Sequence, residues 1–89
     1  MKVRYAKSFD KDIDGIRNNP QVKKRLLEVI VRLKEIDSLD EVQGIRKIEG
    51  YAGYYRLRIG GFRLGLKLIE DTLELIRFLH CKDIYRRFP

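Results

Sequence analysis

Two runs of alternating side chains, Tyr55-Arg56-Leu57-Arg58-Ile59 and Phe62-Arg63-Leu64-Gly65-Leu66-Lys67-Leu68, are joined by Gly60-Gly61. A period of two marks a strand with one covered face, and a Gly-Gly pair between two such runs marks a tight hairpin. With those two residues as the loop, Ile59 faces Phe62, Arg58 faces Arg63 and Arg56 faces Gly65. Tyr55, Leu57, Leu64 and Leu66 then project to one side, and Arg56, Arg58, Arg63 and Lys67 to the other. The apolar side needs a cover, and whatever covers it leaves the cations on the open face.

That cover lies upstream. Val3 and Tyr5 alternate with polar neighbours as a short first strand. Ser8 is placed to cap a helix beginning at Phe9, with Asp10 and Asp12 near its N-terminus and Phe9, Ile13 and Ile16 on one face. Asn18-Asn19 breaks it, and Pro20 suits the first turn of a second helix. In that helix Val22, Leu26, Leu27, Ile30, Leu33 and Ile36 form one stripe. Ile45 and Ile48 fit a strand ending at Gly50. Leu73 to Leu79, apolar on both faces near its end, reads as a central, covered strand, and Lys82 to Phe88 as a last helical turn. The expected class is α+β, in the order β-α-α-β-β-β(-β), with two N-terminal helices packed on one face of a small antiparallel sheet. At 89 residues, without a low-complexity tract, the chain is expected to be a single domain, 1–89.

The formal charge is +7, from 20 basic and 13 acidic residues, and it is unevenly placed. Residues 1–44 carry 10 basic and 8 acidic side chains, whereas residues 45–89 carry 10 and 5. Between Tyr51 and Ile69 there are three Arg and one Lys with no acid. A one-signed patch attracts a polyanion and raises its encounter rate. Nucleic acid is the leading partner and an acidic protein segment the second; a charge that serves only solubility is the third reading. The one cysteine, Cys81, excludes an internal disulfide and a Cys-based zinc site, and fits a reducing compartment. No apolar run approaches the roughly 20 residues of a membrane helix, and no apolar leader follows Met1. The expectation is a soluble, cytoplasmic protein without membrane contact.

Like charges directly across a strand pair are mildly unfavourable, so folding alone does not select Arg58 opposite Arg63. A phosphate between them accounts for the pair, because guanidinium groups donate planar, bidentate hydrogen bonds to its oxygens. Gly65 opposite Arg56 has two readings: a hollow where a nucleotide approaches, or a bend or bulge in the strand. Cleavage of an RNA phosphodiester needs a group that takes the 2′-hydroxyl proton, a cation against the charge growing on phosphate, and a donor for the leaving oxygen. The open face has no acid cluster, so neither a metal nor another cofactor is expected. His80 shares the parity of Glu74, Ile76 and Phe78 and therefore one face of the sheet; near a basic face an imidazole can move a proton, although a lone histidine at a strand end is ordinarily structural. Tyr85 is placed either to stack on a base or donate its hydroxyl, or to pack against the sheet.

In these segments the sequence resembles the RelE/ParE superfamily of type II toxins, and within it the RelE branch. The likeness covers nearly the whole chain: the β-α-α opening, Lys47-Ile-Glu-Gly50, Tyr55-Arg-Leu-Arg-Ile-Gly-Gly-Phe-Arg-Leu64, and His80-Cys-Lys-Asp-Ile-Tyr85 with its Arg-Arg-Phe-Pro end. The resemblance implies an mRNA endoribonuclease that acts in the ribosomal A site without metal. It also implies a cognate antitoxin that holds the toxin inactive in a toxin–antitoxin hetero-oligomer. By position, it implies that Arg56 and Arg58 orient or activate the 2′-hydroxyl, that Arg63 stabilises the phosphate, and that Tyr85 stacks on or orients the nucleotide. His80 stands where many relatives carry His. Lys67, Lys82, Arg86 and Arg87 are the remaining candidate RNA contacts. One position departs: relatives usually read His-Arg-Lys-Asp-Ile-Tyr, and here Cys81 replaces that arginine, a candidate acid or phosphate clamp. Cys81 carries no fixed positive charge, which leaves Lys82 or His80 as substitutes. The rival is a non-enzymatic ParE-like toxin that inhibits DNA gyrase, or a catalytically weakened RelE-like toxin, since one fold serves both. The hairpin arginines with Tyr85 favour cleavage, and Cys81 favours the rival.

Overall fold

A computed structural model describes residues 1–89 and shows a five-stranded sheet with three helices. Strand β1 is Lys2–Tyr5, helix α1 Lys7–Gly15 and helix α2 Pro20–Glu35. A single 3-10 turn leads to β2, Ile45–Lys47, followed by β3, Tyr54–Ile59, β4, Phe62–Ile69, β5, Thr72–His80, and α3, Cys81–Arg87. In space the strands run β1-β5-β4-β3-β2. The α+β class and the β-α-α opening before a meander are as the sequence predicts, and β5 lies inside the sheet. The sheet is mixed at one edge, however, because β1 pairs parallel with β5, from Lys2 opposite Thr72 to Tyr5 opposite Leu75.

The core forms where the two helical stripes meet the apolar side of the hairpin. Phe9 of α1 and Leu26, Ile30 and Leu33 of α2 bury against Leu57, Leu64, Leu66, Leu75 and Phe78. Leu27 departs from the predicted stripe and is 53% exposed, because the buried line runs through Leu26, Ile30 and Leu33 and turns Leu27 to solvent. Helix α2 starts as expected: Pro20 occupies its first turn, and the Asn19 side chain accepts a hydrogen bond from the Val22 amide at 3.4 Å.

Helix α1 starts differently. It begins at Lys7 with Ala6 at the cap, and Ser8 instead donates its hydroxyl to the Ile76 carbonyl at 2.6 Å. The reason is an edge. β1 ends opposite Leu75, so the backbone groups of β5 beyond that point lack a strand partner, and buried backbone groups must be satisfied. Asp12 meets the next requirement: its carboxylate accepts from the Phe78 amide at 2.9 Å and from Arg77 Nε and Nη2 at 2.8 and 3.0 Å. Polar side chains of α1 thus replace the missing strand.

The β4–β5 ladder carries a bulge. Gly65 pairs with Arg77 while Leu66 pairs with Leu75, so Ile76 is an extra residue. Across the sheet from the main core, Ile48, Ile84 and Phe88 bury together beside Tyr54, Ile76 and Leu79. Helix α3 therefore covers part of the face that the sequence pattern leaves open. No helix is long and apolar enough to cross a membrane.

Asp12→Ala removes the acceptor of three hydrogen bonds and leaves the Phe78 amide and the Arg77 guanidinium unpartnered. Urea unfolding is expected to show a loss of about 2–3 kcal/mol, against less than about 0.5 kcal/mol for Asp10→Ala on the exposed side of the same helix.

Candidate functional site

The hairpin register is the one read from the sequence: Ile59 opposite Phe62, Arg58 opposite Arg63, Arg56 opposite Gly65. It is set at the turn, where Gly60 takes φ +59°, a left-handed conformation that a side chain disfavours. Strand β2 then lies antiparallel to β3 and brings Arg46 opposite Arg56. Arg46, Arg56, Arg58 and Arg63 converge with Gly44 and Tyr85 around a cleft of about 360 Å³.

None of these four arginines has a carboxylate partner. The ion pairs of the chain lie elsewhere, at Lys2–Asp71, Arg4–Glu74, Arg77–Asp12 and Arg86–Asp83. Two of the guanidinium groups are nevertheless held in place. Arg63 Nη1 donates to the Gly60 carbonyl at 2.9 Å and to the Phe62 carbonyl at 2.8 Å, which ties it to the turn and leaves its other nitrogens without a protein partner. Arg56 lies over the Tyr85 ring, 4.5 Å from its centroid, a cation–π contact that fixes both groups. The Tyr85 side chain is otherwise exposed, at 64%. The result is a concave cluster of hydrogen-bond donors, fixed on one side by the turn and on the other by an aromatic ring. Its chemistry is that of an anion site with a surface for stacking.

Of the two readings of Gly65, the bulge is present, with its extra residue on β5, and the hollow is filled. A Cβ built on Gly65 meets the Phe88 ring at 2.7 Å, and Phe88 is 5% exposed. Glycine is required there because an aromatic ring lies directly on the strand, and no nucleotide can enter at that point. Phe88 also packs on Tyr54, with ring centroids 5.7 Å apart, and so anchors the end of α3, the helix that carries Tyr85.

His80 lies outside the cleft. The bulge at Ile76 breaks the parity that groups it with Glu74: Phe78 and His80 share the side of Leu64 and Phe62, whereas Glu74 pairs with Lys67 on the opposite face. His80 stacks edge-on against Phe62, and its Nδ1 accepts from the Lys82 amide at 3.2 Å as the cap of α3. Lys67 is also separate, with its ammonium 4.9 Å above the Tyr54 ring. Lys82, Arg86 and Arg87 are exposed on α3 and do not line the cleft. Cys81 is half-buried with its sulfur 3.8 Å from His80 Nδ1, also away from the arginines. The structure thus assembles Arg56, Arg58, Arg63 and Tyr85 and adds Arg46. The signal for Arg46 was its place in Ile45-Arg46-Lys47, which becomes informative only once β2 is set antiparallel against β3.

A family model described as the ParE toxin of type II toxin–antitoxin systems, parDE, matches residues 3–85. Toxin RelE3 of Methanocaldococcus jannaschii is 39% identical over 90 residues, covering all of both chains. A chain in the crystal structure of the RelB–RelE antitoxin–toxin complex from Methanococcus jannaschii superposes with a TM-score of 0.81 at 36% identity, over 97% of this chain and 99% of that one. A copper-bound mutant toxin from Helicobacter pylori shares the fold, with a TM-score of 0.76 at 24% identity over 94% of this chain and 98% of its own.

Two stability measurements probe this geometry. Arg58→Gln relieves repulsion across the strand pair and is expected to raise stability by about 0.3 kcal/mol at low salt, seen as about 1–2 °C in the melting temperature; the gain disappears near 1 M salt, where the Debye length is only about 3 Å. Gly65→Ala forces the Phe88 ring off the strand, at an expected cost of about 1–3 kcal/mol in urea unfolding.

Proposed function

We propose that this chain, which belongs to the RelE/ParE superfamily and is a toxin of a type II toxin–antitoxin system, cleaves RNA by attack of a 2′-hydroxyl on the adjacent phosphate. The observation that carries the reading is the convergence of four arginines without a counter-ion beside a tyrosine ring. Arg63, held against the turn, directs its free nitrogens at the phosphate. Arg58 and Arg46 add donors on either side of it, and Arg56 and Arg58 together orient the 2′-hydroxyl. Tyr85, the one non-arginine side chain in the cleft, stacks on the base or orients the nucleotide. Such preformed donors stabilise the charge that develops on the phosphate oxygens as the 2′-oxygen attacks and the 5′-oxygen leaves. Guanidinium groups answer that charge, so the reading calls for no metal and no other cofactor.

Arginine is not deprotonated in proteins, so it orients and polarises rather than serving as a base. The cleft is therefore rich in electrostatic stabilisation and poor in proton-transfer groups: the 2′-hydroxyl gives its proton to solvent water as its oxygen bonds to phosphorus, and the Tyr85 hydroxyl is the candidate donor to the 5′-oxygen as its bond to phosphorus breaks. Where the family resemblance calls for an arginine, Cys81 supplies no charge, and we assign part of that role to Arg46. The resemblance implies that the substrate is mRNA in the ribosomal A site. A relative occurs in an antitoxin–toxin complex, and by that parallel we propose a cognate antitoxin for this chain. The exposed Leu27, Val31 and Tyr5 beside the groove between α1 and α2 are the apolar surface such a partner would cover.

Mapping mRNA ends after incubation with translating ribosomes tests the reading. Cuts within codons that leave 2′,3′-cyclic phosphate ends are expected, and either Arg63→Ala or Tyr85→Ala should slow them by about 10²-fold or more. Intact mRNA together with impaired DNA supercoiling would assign the chain to the gyrase-inhibiting alternative instead.

A further inference from the structure

We infer that an RNA strand held in the cleft continues past Arg58 onto helix α2, where Arg25 and Arg32 form a flanking subsite for the phosphates of single-stranded RNA. The inference rests on reading the cleft as an RNA site, and extends it to two residues that reading does not use.

Arg58 joins the cleft to helix α2. It stands where β2 has stopped pairing with β3: Ile45 lies opposite Leu57, and beyond it the Arg58 amide reaches back to the Gly44 carbonyl at 3.0 Å. Freed at that edge, the exposed Arg58 side chain lines the cleft and also two further hollows that open toward α2. One, of about 290 Å³, is shared with Arg25, Glu28 and Arg32. The other, of about 390 Å³, is shared with Arg32, Glu41 and Gln43. Arg25 and Arg32 are seven residues apart, close to two helical turns, and so lie on one face of α2. Arg25 reaches the hairpin turn, its Nη1 2.7 Å from where a side chain on Gly60 would begin.

The charge along this path is only partly compensated. Neither Arg25 nor Arg32 takes part in an ion pair. Of the two acids nearby, Glu41 is occupied, its Oε2 accepting from the Asp37 and Ser38 amides at 2.9 and 3.0 Å. Glu28 and Glu41 together face the three guanidinium groups of Arg25, Arg32 and Arg58, which leaves the path net positive. Arginines on a solvent-facing helix need no explanation singly; here they meet at a residue of the cleft itself, and they form a bent track over the edge of the sheet. A flexible strand with one negative charge per nucleotide follows such a path, whereas a stiff duplex does not. Continuity with the cleft favours RNA over an acidic peptide, which would have no reason to begin at Tyr85.

Fluorescence anisotropy with labelled oligouridines of about three and about nine nucleotides, over roughly 50 to 300 mM salt, tests the inference. The longer RNA should bind the wild-type protein more tightly and with a steeper salt dependence. At roughly half a decade of affinity and about 0.7 of slope per phosphate contact, Arg25→Gln/Arg32→Gln should weaken the longer RNA about tenfold and flatten its slope by about 1.4. The short RNA should change by less than about twofold, since it does not reach α2. Arg32→Gln alone, away from the hairpin turn, should give about a threefold loss on the longer RNA. Equal binding of both lengths to the wild type would overturn the flanking subsite while leaving the cleft reading intact, as would unchanged affinity and slope in the double variant. A double variant that loses an oligoglutamate peptide but keeps RNA would transfer these arginines to an acidic protein partner. Failure of the wild type to bind either RNA would remove the cleft reading and this inference together.

Discussion

The register between β3 and β4 is the constraint on which the rest of the molecule depends. A slip of one residue would invert the strand that shifts, either turning Leu57 out of the core and Arg56 and Arg58 into it, or turning Leu64 and Leu66 out and Arg63 in. Two independent conditions prevent that slip: the left-handed Gly60 fixes where the chain reverses, and the apolar stripes of α1 and α2 accept only one face of the hairpin. Register thus fixes core and cleft at once, because the arrangement that buries the leucines necessarily gathers the arginines. The site is the reverse side of the core.

A cluster of like charges tends to disperse itself, and the scaffold resists this without neutralising it. Arg63 is tied to carbonyls of its own turn and Arg56 is held by a ring, so both lose freedom while keeping their charge. The stabilising ionic interaction lies on β5 and α1, where the Asp12 carboxylate binds Arg77 and closes a gap in the sheet edge. A carboxylate stands where it supports the fold, and none stands among the four arginines of the cleft.

Much of this was legible in the residues. Alternation and Gly60-Gly61 specified the hairpin pairings, and the 3–4 residue spacing placed α2. What escaped depended on partners distant in sequence. Ser8 looks like a helix cap until the end of β1 leaves Ile76 without a neighbour. His80 has the parity of Glu74 on paper, and a single bulged residue in β5 reverses it. Gly65 suggested an opening because no local pattern could announce that Phe88 would lie on it. Arg46 sits in a three-residue strand too short to show a period. Local periodicity therefore described the hairpin and α2 well, and failed where a strand is short or bulged or where another element covers it.

The parallel pairing of β1 with β5 makes the order of synthesis matter. Lys2 waits for Thr72, and Tyr5 for Leu75, so the first strand made has no neighbour until nearly the last one exists. Contacts of such long sequence separation are slow to form. Tyr85 comes later still, on a helix anchored by Phe88. The wall that Tyr85 forms over Arg56 is therefore a late part of the cleft, present only once α3 has docked against the sheet.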